Sequence, residues 1–157
     1  RCLMMSKKQK IISKHFVVSA IIFVVLIIDQ ITKFLIRTNF EPYASKKILS
    51  FFSLTYLRNT GISFGLLKGA NTLFLIISIL IFGFFMYIYL KRKKYPIQFG
   101  LIFAGTLGNL IDRFFLGYVV DFIDFHYWPV FNIADSAISI GMIWLLIILI
   151  KNNEDLF

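Results

Sequence analysis

GTLGNLIDRFFLGYVVDFIDFHYWPVFNIAD, residues 105–135, is the stretch around which this chain is organised. It begins inside one long apolar run and ends at the start of another. Between them lie Asp112, Asp121, Asp124 and Asp135, four of the chain's 8 acidic residues. The stretch has no Lys and a single Arg, Arg113, although the formal net charge of the protein is +9. A carboxylate beside lipid is costly to keep, so an acidic cluster at a membrane boundary points to a functional site.

The flanking runs set the class. The chain has 157 residues, 59% of them hydrophobic, and a mean hydropathy of +0.80. Soluble domains are nearer half apolar. The excess here is concentrated in runs long enough to cross a bilayer, which takes about 20 apolar residues. The length suits one membrane domain over 1–157. The spacing predicts spans at 16–37, 72–90, 96–116 and 132–150. An outer segment at 39–70, an inner loop at 91–95 and an outer loop at 117–131 join them. The fold class expected is all-α integral membrane. Between helices 1 and 2 lies an extracytoplasmic interfacial segment, β-like or amphipathic, because 48–57 (ILSFFSLTYL) is aromatic, β-branched and partly alternating.

The cations orient these spans. Lys7, Lys8, Lys10 and Lys14 precede span 1, LysArgLysLys (91–94) follows span 2, and Lys151 follows span 4. Basic residues accumulate on the cytoplasmic side. Both termini are therefore expected inside, with 39–70 and 117–131 together on the outer face. Cations placed beside apolar spans encode topology, so nucleic acid is not an expected partner despite the pI of about 9.8. The single cysteine, Cys2, excludes an internal disulfide. It lies in a short leader, with Met4 or Met5 reading as the natural start, and has no assigned role.

Several polar residues interrupt the spans. Asp29 and Lys33 are four apart on one helix face and can pair. They read either as a packing ion pair or as part of a site. Ala104 and Gly108 form a small-xxx-small pair, and Gly105, Asn109 and Asp112 share a face, so the close-packed face is also the polar one. Asp112 and Arg113 read as a structural ion pair or as site residues. Residues 57–65 (LRNTGISFG) read equally as a turn or as a binding element. Asn132 and Asp135 fit the capping of helix 4, an acid three residues beyond an Asn cap.

Two carboxylates near each other resist ionising together, so one keeps a proton while the other is charged. Such a pair can activate a water and polarise a carbonyl. Asp121 and Asp135 are the best candidates, although spacing alone does not prefer them to Asp112 or Asp124. Asp121, Asp124 and His126 carry only weak metal-ligand spacing. Three other readings exist: a small proton-coupled transporter or channel using the same carboxylates, a serine peptidase in which Lys33 or His126 activates Ser63 or Ser136, and a scaffold. The first lacks internal repeats and paired broken helices. In the second, Asp29 would hold Lys33 charged and make it a poor base. The third leaves the acidic cluster unexplained.

Five blocks carry a family resemblance: AspGlnIleThrLys (29–33), ArgAsnThrGlyIleSerPheGly (58–65), AlaGlyThrLeuGlyAsnLeuIleAspArg (104–113), ValValAspPheIleAsp (119–124) and PheAsnIleAlaAsp (131–135). In this order they resemble the lipoprotein signal peptidases, the type II aspartic membrane peptidases of bacteria. The resemblance implies removal of the signal peptide from prolipoproteins, cut before a diacylglyceryl-modified cysteine at the outer face of the cytoplasmic membrane. It implies Asp121 and Asp135 as the catalytic pair. It implies Asn59, Gly61, Asn109, Asp112, Arg113, Asn132 and Ala134 as pocket or substrate-holding residues, and Asp29, Lys33, Gly105 and Gly108 as support. No metal or organic cofactor is implied. Membrane lipids are expected neighbours, and globomycin-type cyclic peptides are expected inhibitors. Ile62, Ser63 and Ala104 depart from the commoner family residues, which touches pocket shape rather than chemistry.

Overall fold

The structure, a computed structural model, describes residues 7–61 and 71–155. Cys2, Ile62 and Ser63 lie outside the described residues. Four helices are long and apolar enough to cross a membrane. They are α1 (Lys7–Asn39), α2 (Asn71–Arg92), α3 (Pro96–Leu116) and α4 (Ile133–Asn152). In lipid a helix satisfies every backbone group within itself, which is why long apolar runs adopt it. Pro96 opens α3 at a position that needs no N–H, and Gly117 ends it in the left-handed region at φ 79°.

The all-α expectation needs correction. Strands β1 (Ser45–Leu49), β2 (Phe52–Asn59) and β3 (Val119–Asp124) form an antiparallel sheet in the order β1-β2-β3. The segment between α1 and α2 is thus a hairpin. Residues 117–131, read as a loop, contribute the third strand. ValValAspPheIleAsp is rich in β-branched residues, but its partners lie 60 or more residues away, in β2. Every β1 residue is exposed, and Lys46 and Lys47 stand on this edge strand, where charge discourages further pairing.

α3 is the central helix. Just over half of its spanning window, 56%, is buried, against 11% for α1 and α2 and 22% for α4. Lipid is as apolar as leucine, so helices in a membrane associate by close packing rather than by the hydrophobic effect. Gly105 and Gly108 supply that closeness. A Cβ on Gly105 would run into the backbone carbonyl of Ala134 on α4. A Cβ on Gly108 would lie 2.6 Å from a carboxylate oxygen of Asp29 on α1 and 3.2 Å from the Ala134 methyl. Neither a backbone carbonyl nor a buried carboxylate can swing aside. Gly105→Ala is therefore expected to force α3 and α4 apart at a cost of about 1–3 kcal/mol or more. Thermal unfolding in detergent measures this, and an unchanged melting temperature would contradict the packing argument.

Two buried clusters hold the rest. One, around Val18, Tyr89, Phe99, Phe103 and Leu145, joins the four helices at the end where the lysines gather. The other, formed by Ile36, Tyr56, Val120 and Phe122, seats the sheet on the last turns of α1. The sheet and the neighbouring ends of all four helices therefore meet at one end of the bundle.

Candidate active site

Asp121 lies on β3, diagonally across from Asn59 on β2. Asn59 pairs with Val119 in the ladder, two residues from Asp121, so their side chains share a face. The Asn59 side-chain amide donates to Asp121 Oδ2 at 2.8 Å. Its orientation is set by an Asx turn, because Asn59 Oδ1 accepts from the Gly61 backbone N–H at 3.1 Å. Asp121 Oδ1 accepts from the Asn132 side-chain amide at 2.7 Å.

Asn132 is the N-cap of α4, and Asp135 completes a reciprocal capping box with it. The Asp135 backbone N–H donates to Asn132 Oδ1 at 2.8 Å, and the Asn132 backbone N–H donates to Asp135 Oδ2 at 3.2 Å. The capping and site readings of Asp135 are therefore compatible. The cap fixes its carboxylate beside Asn132, the residue that also holds Asp121. Asp135 Oδ1 accepts from the Asn109 side-chain amide at 2.7 Å. Each of the four carboxylate oxygens thus receives one N–H.

Behind the two acids stands Lys33. Its ammonium is 2.9 Å from Asp29, 3.1 Å from Asp112 and 3.1 Å from Asn109 Oδ1. Lys33, Asp29 and Asp112 are all at most 2% exposed. An ammonium only donates, so it turns the Asn109 oxygen toward itself and leaves the Asn109 NH2 for Asp135. Asp112 pairs with Lys33 and also accepts from the Val120 backbone N–H at 3.0 Å. The ion pair between Asp112 and Arg113 suggested by adjacency does not form, because successive residues on a helix do not face each other.

Asp121 and Asp135 both line a cleft of about 620 Å³. Asn59, Gly61 and Arg113 share its wall, and Phe74, Pro129, Val130 and Phe131 make it largely apolar. Tyr127 and Trp128 stand at its exposed rim. Arg113 lies 6.0 Å over the Phe74 ring, so α2 and α3 face each other across this wall. Burial pushes the Asp121 carboxyl up to about 7, and the charge of Asp135 pushes the same way. The hydrogen bonds from Asn59 and Asn132 and the charge of Lys33 oppose the rise. Near neutral pH the cleft therefore holds a carboxyl able to keep a proton next to a second carboxylate. Such a pair can both take and give protons.

The remaining residues fall into place around this pair. The Ala134 side chain does not line the cleft; its backbone N–H donates to Asp29 Oδ1 at 2.8 Å. Asp124 is set apart, accepting from Thr55 Oγ1 and from the His126 backbone N–H, both at 2.8 Å. His126 Nε2 lies 2.8 Å from the hydroxyl of Ser53, which is not among the cleft residues. Ser136 donates to the Asn132 carbonyl at 2.9 Å. Ser136 is thus engaged with the backbone rather than with Lys33 or His126, and Ser63 lies outside the described residues. Gln30 escaped the sequence reading. Its side chain donates at 3.2 Å to Asp29, to Asp112 and to the Gly108 carbonyl. The available signal was its position beside Asp29 within an otherwise apolar run.

A family model described as signal peptidase (SPase) II matches residues 21–151. A lipoprotein signal peptidase of Thermodesulfovibrio yellowstonii is 46% identical over 135 residues, which is 83% of this chain and 92% of that protein. One from Staphylococcus aureus is 39% identical over 153 residues, covering 90% and 94%. Among solved structures, a bacterial membrane enzyme determined by the in meso method at 2.3 Å superposes with a TM-score of 0.80 at 39% identity, covering 87% of this chain and 88% of that one.

Proposed function

Because the chain belongs to the signal peptidase II family, we propose that Asp121 and Asp135 are the catalytic pair of an aspartic membrane endopeptidase. The protein is a multi-pass membrane peptidase that removes the signal peptide from prolipoproteins. The transporter reading has no support beside this membership. The observation that carries the aspartic reading is the pairing of two carboxylates through Asn132 at the wall of one cleft.

Their environments suggest a division of labour. Asp121 is 1% exposed, and its raised pKa favours the protonated form. Asp135 sits in the first turn of α4, where the helix dipole favours a negative charge. In this reading Asp135 takes a proton from a water in the cleft as the water oxygen attacks the scissile carbonyl carbon. Asp121 gives its proton to the carbonyl oxygen as that oxygen gains charge. The C–N bond then breaks, the leaving amine takes the proton from Asp135, and the new acid's hydroxyl returns a proton to Asp121. Asn59, Asn109 and Asn132 aim the two carboxylates, and Arg113 and Gly61 shape the wall against the substrate.

The cut falls before a diacylglyceryl-modified cysteine, whose lipid suits the apolar wall formed by Phe74, Val130 and Phe131. A globomycin-type cyclic peptide would occupy the same cleft. The lysines at the opposite end of the bundle support an orientation with both termini in the cytoplasm and the cleft at the outer face of the bacterial cytoplasmic membrane. There the sheet lies at the interface among membrane lipids.

Cleavage of one precursor, with and without the diacylglyceryl group and across a pH series, tests this. The modified precursor is expected to be cut and the unmodified one left largely intact. Activity is expected to fall as pH rises through about 7, where Asp121 loses its proton. Stability shifts in the same direction. A carboxyl raised above its unfolded value of about 3.9 contributes most below that value and loses the contribution as pH rises through about 7. The melting temperature measured alongside separates the two effects. Equal cleavage of both precursors, or an activity profile flat from pH 5 to 9, would count against the reading.

A further inference from the structure

The opposite face of the sheet carries a second polar cluster, unused by the peptidase chemistry. Side chains alternate along β2, so Tyr56 and Arg58 point away from the face on which Asn59 meets Asp121. The Tyr56 hydroxyl lies 3.1 Å from that of Tyr118 and accepts from Arg58 Nε at 3.2 Å. The Arg58 guanidinium stands 5.5 Å from the Tyr56 ring centre and 5.1 Å from that of Tyr118. Arg37, in the last turn of α1, completes the group. Its charge and that of Arg58 both act on the Tyr118 phenol, against the burial that pushes that phenol up. Arg37 Nε is shut off from solvent and has no hydrogen-bond partner among the described residues.

The cluster is rich in donors and poor in acceptors. Among the described residues neither Arg37 nor Arg58 forms an ion pair. Glu41, one turn beyond Arg37, is exposed. Residues 62–70, next along the chain from Arg58, contain no Asp or Glu. Of the two phenol hydrogens, one lies in the Tyr56–Tyr118 bond and the other has no acceptor among the described residues. Two guanidinium groups and a phenol O–H together call for an anion with several oxygens, and Arg matches phosphate geometry best.

Position narrows the ligand further. Arg37 ends a membrane span, at the level where phospholipid headgroups lie. Ile31, Phe34 and Leu35, within two turns back along α1, are 54%, 55% and 51% exposed and so face the acyl chains. We propose that Arg37, Arg58 and Tyr118 bind the phosphodiester headgroup of an anionic membrane phospholipid, whose chains lie along α1. The site stands across the sheet from the cleft and does not depend on the assignment of the catalytic pair.

Native mass spectrometry of the full chain in neutral detergent tests this, with phosphatidylglycerol and phosphatidylcholine of identical chains as probes. A cation near an anionic headgroup is worth about fivefold in affinity. The parent is expected to retain phosphatidylglycerol preferentially. Arg58→Gln should weaken that retention by roughly fivefold and the R37Q/R58Q pair by about thirtyfold. K46Q/K47Q, which removes two exposed lysines of β1, should leave it unchanged. Arg58 is itself exposed, so the single variant is expected to fold, and the melting temperature checks this. Equal retention by parent and double variant would overturn the proposal. So would an equal loss in K46Q/K47Q, or displacement of the lipid by 10 mM inorganic phosphate, which would make free phosphate the ligand.

Discussion

Asp121→Asn and Asp135→Asn are each expected to lose about a thousandfold or more of precursor cleavage while remaining folded and membrane-inserted. Proton transfer by a positioned group contributes roughly 10²–10⁴-fold, and in the proposed mechanism one pair both activates the water and protonates the leaving group. An amide at either position can do neither. The structural cost is smaller. At 121 an amide offers one acceptor where Asn59 and Asn132 each present a donor. One donor then faces an NH2 group, at about 1–3 kcal/mol. At 135 the amide must choose between the Asn109 side chain and the Asn132 backbone N–H, about 1 kcal/mol of capping. Asp124→Asn is the informative contrast. Its carboxylate serves Thr55 and His126 away from the cleft, so cleavage should persist. The assay is cleavage of a diacylglyceryl-modified precursor, with melting temperature as the folding check. Full activity in D121N or D135N would sink the catalytic assignment.

Replacing Lys33 by Met is expected to cost more stability than any other single exchange considered. The ammonium is 2% exposed and holds two carboxylates that are themselves shut away from solvent. Breaking a buried ion pair costs about 3–5 kcal/mol, because the abandoned charge stays buried. Here two charges are abandoned, at a level where lipid offers them no solvation. The damage spreads because of what those carboxylates hold. Asp29 receives the Ala134 N–H of α4, and Asp112 receives the Val120 N–H of β3. One ammonium thus ties α1, α3, α4 and β3 together. Asp29→Asn in the K33M background should recover part of the loss, since it removes one stranded charge. In the proposed mechanism Lys33 is also a positioning residue through Asn109, so in material that still folds kcat should fall further than KM rises. A melting temperature for K33M close to that of the parent would show that the pair contributes little. Equal losses in K33M and in D29N/K33M would show that no stranded charge is involved.

Much of this was legible in the chain itself, and for identifiable reasons. Span number and approximate placement follow from run length, because a bilayer requires about 20 apolar residues whatever the neighbours. The acids near the ends of those runs stood out because lipid makes a carboxylate expensive. Asp29 with Lys33 was readable from helical spacing, and Asn132 with Asp135 from capping chemistry, both local rules. Adjacency left Asp112 open between an ion pair with Arg113 and a site role, and that ion pair does not form because neighbours in sequence point to different sides of a helix. Strand β3 was read as loop because its pairing partner, β2, lies two spans earlier in the chain.

The sequence by itself determined a four-span membrane protein with an acidic site at one end, since span length, charge cost, helix spacing and capping act over a few residues. It could not rank four aspartates by spacing, and only the five ordered blocks separated Asp121 and Asp135. The tertiary structure decided the rest. It put Asn132 between Asp121 and Asp135, turned Asn109 by means of Lys33, and gave Asp112 to that same ammonium 79 residues away. These contacts depend on how closely α1, α3 and α4 approach through Gly105 and Gly108. Close approach is a property of three packed helices, and no window along one chain contains it.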